Sequence, residues 1–424
     1  MNSSLSRREF LKTSGAIAAT TAIGVAHVHA QKSPGETLRV GLVGCGGRGT
    51  GAAAQALAAD SNVKLVAMGD AFSDRLQLSL GTLKKQEIGP KIDVPEKNQF
   101  VGFDAYQKVI ELSDVVLLAT PPHFRPMHLQ AAIDAGKHVF AEKPIAVDAT
   151  GVRKVLAACE QARKKNLAVV SGLATRYTNS YRETVKRIHE GAVGAIRGLH
   201  VHDFRGPIWV KPRQPEWTDM EYHMRNWYYF TWLSGDFNVE QHIHLLDLCA
   251  WIMKDDNPVR AYGAGGRAVR TGAEYGNIFD HHSVTYEYAS GARFSTTCRQ
   301  MSGCMNEIIT LVMGEKGTAN FSQRALEINA GEKWVYRGDK NVGQQTEHDE
   351  LFASIRSGKV INNGEYMSKS TLMAIMGRMA TYTGQAITWE QAMNSQENLV
   401  PDRYDWDGKP PESKVAIPGV TKVI

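Results

Sequence analysis

Short apolar runs alternate with helical patterns between residues 36 and 171. The runs are rich in Val, Leu and Ala, and they lie at 38–43, 63–68, 115–119, 138–140 and 168–170. The run at 115–119 is apolar throughout, as expected of a central parallel strand that is buried on both faces. Strands that alternate with helices build a doubly wound parallel sheet. The pattern therefore predicts an α/β fold with a Rossmann domain at 36–171.

The pattern changes after about residue 171. Later segments alternate polar with β-branched or apolar residues and are separated by glycine turns, which is typical of antiparallel strands. They lie at 196–204, 282–288, 292–299 and 306–312, and helical patterns lie at 181–190, 240–253, 348–357 and 367–383. We predict an α+β domain at 172–389 with a mostly antiparallel sheet. The tail at 390–424 is expected to wrap the surface without forming a core.

The first 30 residues have the pattern of an export signal. The pair Arg7-Arg8 precedes a mildly apolar run at 15–28, and a small-residue cleavage site ends at Ala30. The run is too short and too rich in Ala and Thr to span a membrane, and no cysteine follows it to carry a lipid. We expect a twin-arginine signal peptide at 1–30, cleaved near Ala30, and delivery by the Tat export machinery to the periplasm without a membrane anchor. The alternative is a basic N-terminus with an accidental pair of arginines.

The charge of the chain excludes some classes of partner. Of the 424 residues 22% are charged, and removing residues 1–30 takes away three basic side chains and one acidic side chain, so the formal charge falls from +5 to +3. A charge this weak and evenly spread indicates neither nucleic acid nor an anionic membrane as a partner. A small-molecule substrate is the better expectation. Because twin-arginine export carries folded proteins and free nicotinamide cofactor is scarce outside the cytoplasm, any such cofactor would have to stay bound.

A glycine-rich turn follows the first predicted strand. Residues 44–49 read Gly-Cys-Gly-Gly-Arg-Gly and open a predicted helix, and Asp70 ends the second strand about 20 residues farther on, as in the dinucleotide-binding fingerprint. In that motif the helix N-terminus supplies amide donors for the pyrophosphate. The expected cofactor contacts in this turn are Gly44, Gly46, Gly47, Arg48 and Gly49.

Asp70 bears on the choice of nucleotide. A carboxylate at this position accepts hydrogen bonds from the ribose diol and repels a 2′-phosphate, which favours NAD over NADP. Arg75, five positions later, keeps NADP open as the alternative. Asp70 is otherwise interpreted as a turn residue at a strand end.

Two further motifs follow predicted strands, at the sheet edge where doubly wound folds bind ligands. Thr120, Pro121 and His123 come after the central apolar strand, and a loop stiffened by prolines there can lie along the cofactor. Glu142 and Lys143 come after the next strand. A lysine near a nicotinamide and a carbinol stabilises an alkoxide or moves a proton, provided that burial lowers its pKa. In most proteins, by contrast, such a lysine is a surface charge and such a histidine is often solvated.

A third motif lies at the start of the helical pattern at 240–253. Glu240, His244 and Asp247 have the i, i+4, i+7 spacing that places them on one helix face, while His242 points elsewhere. An imidazole between two carboxylates can act as an acid–base unit. The alternative is an ordinary capped, polar helix start.

Together these motifs resemble the glucose-fructose oxidoreductase / inositol dehydrogenase / MocA (Gfo/Idh/MocA) family, from about residue 38 to about residue 389. The resemblance rests on the glycine turn, on Ala-Thr-Pro-Pro-His at 119–123, on Ala-Gly-Lys-His-Val-Phe-Ala-Glu-Lys-Pro at 135–144, on Arg-Tyr at 176–177 and on His-Leu-Leu-Asp at 244–247. It implies a Rossmann domain followed by an α+β domain with an open-faced sheet. It also implies NAD-dependent redox chemistry and a homodimer or homotetramer.

The resemblance assigns roles to individual residues. The family's Glu-Lys-Pro lysine corresponds to Lys143, its helix histidine to His244, and the acidic residue four positions before that histidine to Glu240. Family members usually carry Asp at this last position and a small residue at His242. These two departures affect the proton relay and leave the class unchanged.

The segment 270–282 is similar to an exported bacterial subgroup of the family. Its Asp280, His281 and His282 are expected to reach the site, and with Glu240, His242 and His244 they form a set able to bind a metal. We expect hydrogen bonds to sugar hydroxyls instead, and no metal. Aromatic residues at 227–232 are expected to supply one or two substrate contacts and part of the core. The expected substrate contacts are Arg176, Tyr177, Asp247, His281 and His282.

The resulting hypothesis is an NAD-dependent dehydrogenase that oxidises a carbinol of a sugar, glycoside or sugar derivative. Oxidation at C3 is the favoured variant, with tightly bound NAD that is recycled, and the catalytic residues are Lys143, Glu240 and His244. One alternative is an NAD-assisted glycoside hydrolase of the same fold, a branch that lacks the Glu-Lys-Pro lysine. Another is a catalytically silent protein that binds a sugar or a partner.

Overall fold

The computed structural model describes residues 35–322 and 325–423. The predicted signal peptide at 1–30 lies outside these described residues. Among the described helices, none combines the length and the apolar character that crossing a bilayer requires.

Six parallel strands form the first sheet in the described chain, in the order β3-β2-β1-β4-β5-β6. The strands are β1 (Leu38–Val43), β2 (Val63–Asp70), β3 (Gln99–Val101), β4 (Val115–Leu118), β5 (His138–Ala141) and β6 (Val169–Ser171). The strand order reverses between β1 and β4, which opens the crevice where such sheets bind ligands. The predicted Rossmann sheet is confirmed, and the short edge strand β3 is an addition.

Helices cover both faces of this sheet. Val115 and Leu117 of β4 pack into one core, and Val116 and Leu118 pack into the other. The helices are Gly47–Ala59, Ser73–Lys84, Ala105–Leu112, Arg125–Asp134 and Ala149–Lys164. A further helix, Gly343–Ser357, comes from the range predicted for the second domain, yet it buries apolar side chains in the core of the first sheet. The two domains are therefore not two consecutive stretches of the sequence, because this later helix packs with the first one.

Nine strands form the second sheet among the described residues, in the order β14-β13-β12-β11-β7-β10-β9-β8-β15. The strands are β7 (Ile196–Arg205), β8 (Arg260–Gly266), β9 (His281–Glu287), β10 (Arg293–Gln300), β11 (Glu307–Gly314), β12 (Thr318–Ser322), β13 (Leu326–Ala330), β14 (Glu332–Val335) and β15 (Ile387–Thr388). Neighbouring strands are antiparallel except β7 and β10, which are parallel. The mostly antiparallel sheet predicted from the alternating pattern is confirmed.

Among the described residues, helices cover one face of the second sheet. Val284, Tyr286 and Phe294 are buried against the helices Ile243–Ile252 and Gly364–Thr383. Positions between them in β9 and β10, such as Ser283 and Thr297, are exposed or half-buried. The remaining described helices are Asn179–His189, Asp219–Arg225, Thr231–Ser234, Phe237–Glu240 and Trp389–Asn394.

The helix predicted at 240–253 is divided in two. Phe237–Glu240 is a single turn, and the helix Ile243–Ile252 starts after it. The turn begins at Asp236, which has a φ of +80° and accepts hydrogen bonds from the backbone of Asn238 and Phe279. Because of this break, the spacing of Glu240 and Asp247 no longer places them on one helix face, and the predicted three-residue stripe does not form.

The C-terminal tail contributes to a core, contrary to the expectation for 390–424. Leu399, Tyr404 and Trp406 pack with Phe72 and Phe103 of the Rossmann domain. The two aromatic side chains of the tail are half-buried and alternate with exposed acidic residues, as in an extended segment with one face on the protein. The sequence pattern did not reveal this because single aromatic residues in an irregular segment have no periodicity.

Three buried histidines and the half-buried His244 predict that acid destabilises the fold. Burial disfavours the charged ring and lowers the pKa from 6.5 to about 3 for His123, His128, His244 and His348. Because their pKa is lower in the folded state, the stabilisation is complete above pH 6.5 and is lost as the pH falls towards 3, by up to about 1.4 kcal/mol per pH unit for each group. We expect the urea midpoint to fall clearly between pH 7 and pH 5.

His128→Phe isolates one of these groups. The His128 ring stacks on Tyr106 at a centroid distance of 4.1 Å, and both ring nitrogens are buried without a partner in the described chain. The variant should therefore keep the stacking and unfold with a shallower pH dependence. Leu78→Ala, at a side chain 67% exposed, is the control and should keep the wild-type slope because it changes no titratable group. Equal slopes for all three proteins would contradict this account.

Candidate active site

The glycine turn after β1 is shaped by close backbone contacts. Gly44 has a φ of +95°, and a Cβ on it would lie 2.6 Å from the backbone of Ala119 and Thr120. A Cβ on Gly49 would lie 1.9 Å from the Gly44 carbonyl oxygen. Gly46 and Gly47, in contrast, face open space. Two glycines of the turn are thus required by packing, and two leave room for a ligand at the N-terminus of the helix Gly47–Ala59.

A cavity of about 590 Å³ lies over this turn at the carboxyl ends of β1, β2 and β4. The carboxylate of Asp70 lies at its edge and accepts hydrogen bonds from the backbone N–H groups of Cys45, at 2.6 Å, and Phe72, at 2.9 Å. Burial raises the pKa of Asp70 above its usual value. Predicted cofactor contacts that line the cavity are Gly44, Gly46, Gly47, Arg48, Gly49, Asp70, Thr120 and Pro121.

The residues of the cavity fit a dinucleotide. The helix N-terminus offers backbone amides and a positive dipole end for phosphates. The hydroxyl of Thr120 is buried without a hydrogen-bond partner in the described chain, as expected of a group that a ligand satisfies. Arg48 forms an ion pair with Glu142 at 2.6 Å, which ties the glycine turn to the end of β5. These groups would hold NAD, whose nicotinamide supplies a hydride acceptor.

Residues of the second domain close the outer side of the cavity. We call the segment 206–230, which follows β7, the cover. Five of its residues line the cavity: Trp209, Lys211, Met224, Arg225 and Trp227. The guanidinium of Arg225 lies 4.0 Å from the ring centroid of Phe72 on the opposite wall. A cation over an aromatic ring is attractive, so the cover is held against the Rossmann domain.

Lys143 and Glu240 meet between the two domains. The Lys143 ammonium donates to the Glu240 main-chain oxygen at 2.6 Å and to its carboxylate at 2.9 Å. The two side chains are only 12% and 13% exposed. An ammonium has three N–H donors, so one remains for a third partner. The predicted association of these two residues is present in the structure.

His244 lies near this pair at the first turn of the helix Ile243–Ile252. Its side chain is half-buried, and no described residue is within hydrogen-bond distance of its ring nitrogens. Burial and the neighbouring positive charges of Lys143 and Arg205 lower its pKa to about 3. The ring is therefore neutral at physiological pH and has a nitrogen available to accept a proton.

A second histidine near His244, His242, is fully buried. His242 bonds the carboxylate of Asp203 through Nδ1 at 2.9 Å and the hydroxyl of Thr296 through Nε2 at 2.6 Å. Arg205, on the same strand as Asp203, forms an ion pair with it and is 30% exposed. His242 thus points away from the Lys143–Glu240 pair, as expected from its spacing, and supports β7 and β10.

Two family profiles match the parts of the chain that build this site. A profile described as an oxidoreductase family with an NAD-binding Rossmann fold matches residues 38–171, and one described as a GFO/IDH/MocA C-terminal domain matches residues 181–320. This chain belongs to the Gfo/Idh/MocA oxidoreductase family. A third profile, the twin-arginine translocation signal, matches residues 4–24 and supports export.

Family members with known names or structures resemble this chain over most of its length. Inositol 2-dehydrogenase 3 of Saccharopolyspora erythraea is 27% identical over 289 residues, which cover 68% of this chain and 74% of that protein. Two solved structures share the fold: aldose-aldose oxidoreductase from Caulobacter crescentus in complex with glycerol (TM-score 0.66, 18% identity) and levoglucosan dehydrogenase in complex with NADH and levoglucosan (TM-score 0.65, 18% identity). Both alignments cover 83% of this chain and nearly all of the other chain, 100% and 99% respectively.

Several predicted contacts of this oxidoreductase are occupied by protein groups instead. Arg176 and Asp247, expected at the substrate, form a buried ion pair at 2.9 Å, and the hydroxyl of Tyr177 donates to Asn363 at 2.8 Å. His123, expected at the cofactor, is not among the residues that line the cavity, and its ring bonds the hydroxyl of Tyr404 at 2.8 Å. Charged side chains that find partners inside the fold are satisfied without a ligand.

The histidines of the subgroup motif are likewise engaged. His282 is fully buried between Asp236, at 3.0 Å, and Thr381, at 2.9 Å. His281 is half-exposed and bonds Asp280 at 2.7 Å. In residues 35–322 and 325–423 no three His, Cys, Asp or Glu side chains converge as metal ligands. The set proposed from sequence as able to bind a metal is therefore dispersed in the structure.

Sequence reasoning missed the cover and the tail. Of the aromatic cluster at 227–232, only Trp227 lines the cavity, while its neighbours are core residues. Lys211, Arg225 and Trp406 carried no motif, because a segment that closes a site from another domain has no fixed spacing to it. The density of Trp and Tyr between 209 and 232 was the one available signal.

The glycine contacts predict opposite effects of two neighbouring substitutions. Gly49→Ala places a methyl group on the Gly44 carbonyl and should lower stability by at least about 2 kcal/mol. Gly47→Ala, the matched control, meets nothing within 4 Å and should leave the thermal midpoint unchanged while weakening nucleotide binding, because its methyl group enters the cavity. Thermal unfolding and nucleotide titration check both. Equal midpoints for the two variants would contradict the assigned roles.

Proposed function

We propose that this protein is an NAD-dependent dehydrogenase that oxidises a carbinol of a sugar, glycoside or related polyol. The observation that carries the proposal is the Lys143–Glu240 pair beside the half-buried, unpartnered ring of His244, at the sheet edge that holds the dinucleotide cavity. The names of relatives support the substrate class, since they include an inositol dehydrogenase and a levoglucosan dehydrogenase.

Lys143, Glu240 and His244 have separate roles in the proposed proton transfer. The remaining N–H of Lys143 donates to the substrate hydroxyl oxygen and stabilises the alkoxide that develops there. The neutral ring of His244 accepts the hydroxyl proton. Glu240 holds the ammonium in place through two hydrogen bonds. Bound NAD would accept the hydride that leaves the carbinol carbon, so the products are a carbonyl compound, a proton on His244 and NADH.

The Asp70 carboxylate supports NAD over NADP. It is half-buried at the cavity edge, where a 2′-phosphate would meet its negative charge without full screening by water. Arg75 also lines the cavity, is half-buried like Asp70 and favours the phosphate. We assign the preference to Asp70 because the backbone N–H groups of Cys45 and Phe72 hold its carboxylate at the glycine turn.

The cover supports a cofactor that remains bound. It closes the outer side of the cavity with two tryptophans, and an exported enzyme has no ready supply of free NAD. We therefore propose that NAD leaves the cytoplasm inside the folded protein, and that the resulting NADH is reoxidised in place by a second carbonyl substrate. Oxidation of a glycoside at C3 is the favoured first half-reaction, and the periplasm the favoured compartment.

The open face of the second sheet supports a homodimer or homotetramer. Ile309, Leu311 and Met313 of β11 are only half-buried or exposed on this face. Covering such a face with a second copy buries apolar surface. Within each copy we place the functional division near residue 171, between the cofactor domain and the substrate domain.

An NAD-assisted glycoside hydrolase is the alternative that an experiment distinguishes most directly from this proposal. It uses transient oxidation to eliminate the aglycone, and the presence of Lys143 speaks against it. Release of nitrophenol from a chromogenic glycoside without net NADH formation would favour the hydrolase. A silent binding protein would retain its function after substitution of Lys143 and His244.

Lys143→Ala and His244→Ala test the proposed chemistry. Native mass spectrometry should find one nucleotide per chain in the wild-type protein, and a panel of sugars monitored at the NADH absorbance should give turnover. Each variant should keep its nucleotide and lose at least about 100-fold in kcat. Lys164→Ala, at a side chain 75% exposed, is the control. Unchanged kcat in both variants would exclude the proposed roles, and absence of any nucleotide binding would exclude the function.

Asp70→Asn tests the cofactor preference. The substitution removes the negative charge and keeps the side-chain size and one acceptor oxygen. The ratio of NADPH to NADH affinity, measured by fluorescence titration, should rise by about tenfold or more. Asp93→Asn, at a side chain 60% exposed, should leave the ratio unchanged. A wild-type preference for NADPH would overturn the assignment of Asp70.

A further inference from the structure

The end of the chain crosses the rim of the cofactor cavity. We call residues 397–407 the C-terminal strap. Within it, the Trp406 ring lies 4.6 Å from the ring of Phe103 and 5.1 Å from that of Phe72, measured between centroids. Both phenylalanines line the cavity. Aromatic pairs at these separations attract each other, so Trp406 supports the cavity wall from outside.

The same residue holds the cover. The Trp406 main-chain oxygen accepts a hydrogen bond from the Thr218 hydroxyl at 2.7 Å. Thr218 is the N-cap of the helix Asp219–Arg225, and its side chain accepts from the backbone of Glu221. This helix carries Met224 and Arg225 into the cavity. Trp406 therefore connects the wall of the cavity on one side to the cover on the other.

Further contacts fasten the strap to both domains. The Tyr404 hydroxyl bonds His123 at 2.8 Å, and the Leu399 backbone donates to Asp148 at 3.1 Å, both in the Rossmann domain. Glu397 forms an ion pair with the buried Arg378 of the second domain. The strap is thus attached to both domains, and Trp406 forms its hydrogen bond to the cover.

We propose that the C-terminal strap retains the bound dinucleotide, with Trp406 and Tyr404 as positioning residues that keep the wall and the cover closed over the Asp70 end of the cavity. The inference rests on the proposed function, because it needs a bound NAD. It adds to that function a structural reason for slow cofactor release. Neither residue touches the reacting atoms.

The rate at which NADH leaves the full-length protein tests the strap. Protein loaded with NADH is mixed with excess NAD, and the fall of NADH fluorescence gives the release rate independently of catalysis. Trp406→Ala removes two aromatic contacts and should release NADH about tenfold faster or more. Trp406→Phe should restore most of the retention. Val420→Ala, 70% exposed in the same tail, should release at the wild-type rate.

The outcomes separate the strap from the proposed function. If the wild-type protein holds NADH and Trp406→Ala releases it no faster, or only lowers the thermal midpoint, the retention role is wrong and the proposed function stands. If the wild-type protein binds no nucleotide, the proposed function itself fails. If Trp406→Ala does not fold, Thr218→Val and Tyr404→Phe replace it, since each removes one hydrogen bond of the strap; unchanged release in both overturns the inference.

Discussion

The ion pair between Lys143 and Glu240 is the interaction on which the site depends. It joins the end of β5 in the first sheet to a single helical turn between β7 and β8 of the second, and both side chains are nearly buried. Removing two charges from water is costly unless further hydrogen bonds satisfy them, and here the Glu240 carbonyl provides one. Because two N–H groups of Lys143 are held by Glu240, the direction of the third N–H is set by the fold. Everything that fixes the position of Glu240 therefore fixes the lysine as well.

What fixes Glu240 is a buried network around Asp236. The Asp236 carboxylate accepts from the backbone of Phe279, from the Tyr382 hydroxyl at 2.5 Å and from His282 at 3.0 Å, and it begins the turn that ends at Glu240. A residue at positive φ persists only where its surroundings hold it. The motif at 277–282 thus supports the site from behind. His282 of this motif could bind a sugar hydroxyl by its chemistry. It is fully buried instead because it bonds Asp236.

The partly covered cavity gives the family fold a feature that suits the proposed retention of a cofactor. The glycine turn and Asp70 form a dinucleotide site of the usual kind, and the cover, with its short helix Asp219–Arg225, and the irregular strap are added around it. The proposed retention would let a bound cofactor accompany the protein through the twin-arginine route as part of its fold. Bound ligand also stabilises the native state by mass action, so retention and folding reinforce each other.

The sequence by itself determined the fold class, the glycine turn and the strand-end positions of Asp70 and Lys143. These follow from periodicity and from motifs at strand ends, which are local and carry the same meaning wherever a parallel sheet forms. Only the tertiary structure decided which charged and polar side chains pair with one another inside the protein and which remain available to a ligand. Arg176 and Asp247 neutralise each other, and His282 serves Asp236, because a buried charge takes whichever partner the packing brings close. It also decided that Trp406 reaches the cavity rim, since a distant irregular segment shows no pattern that encodes its destination.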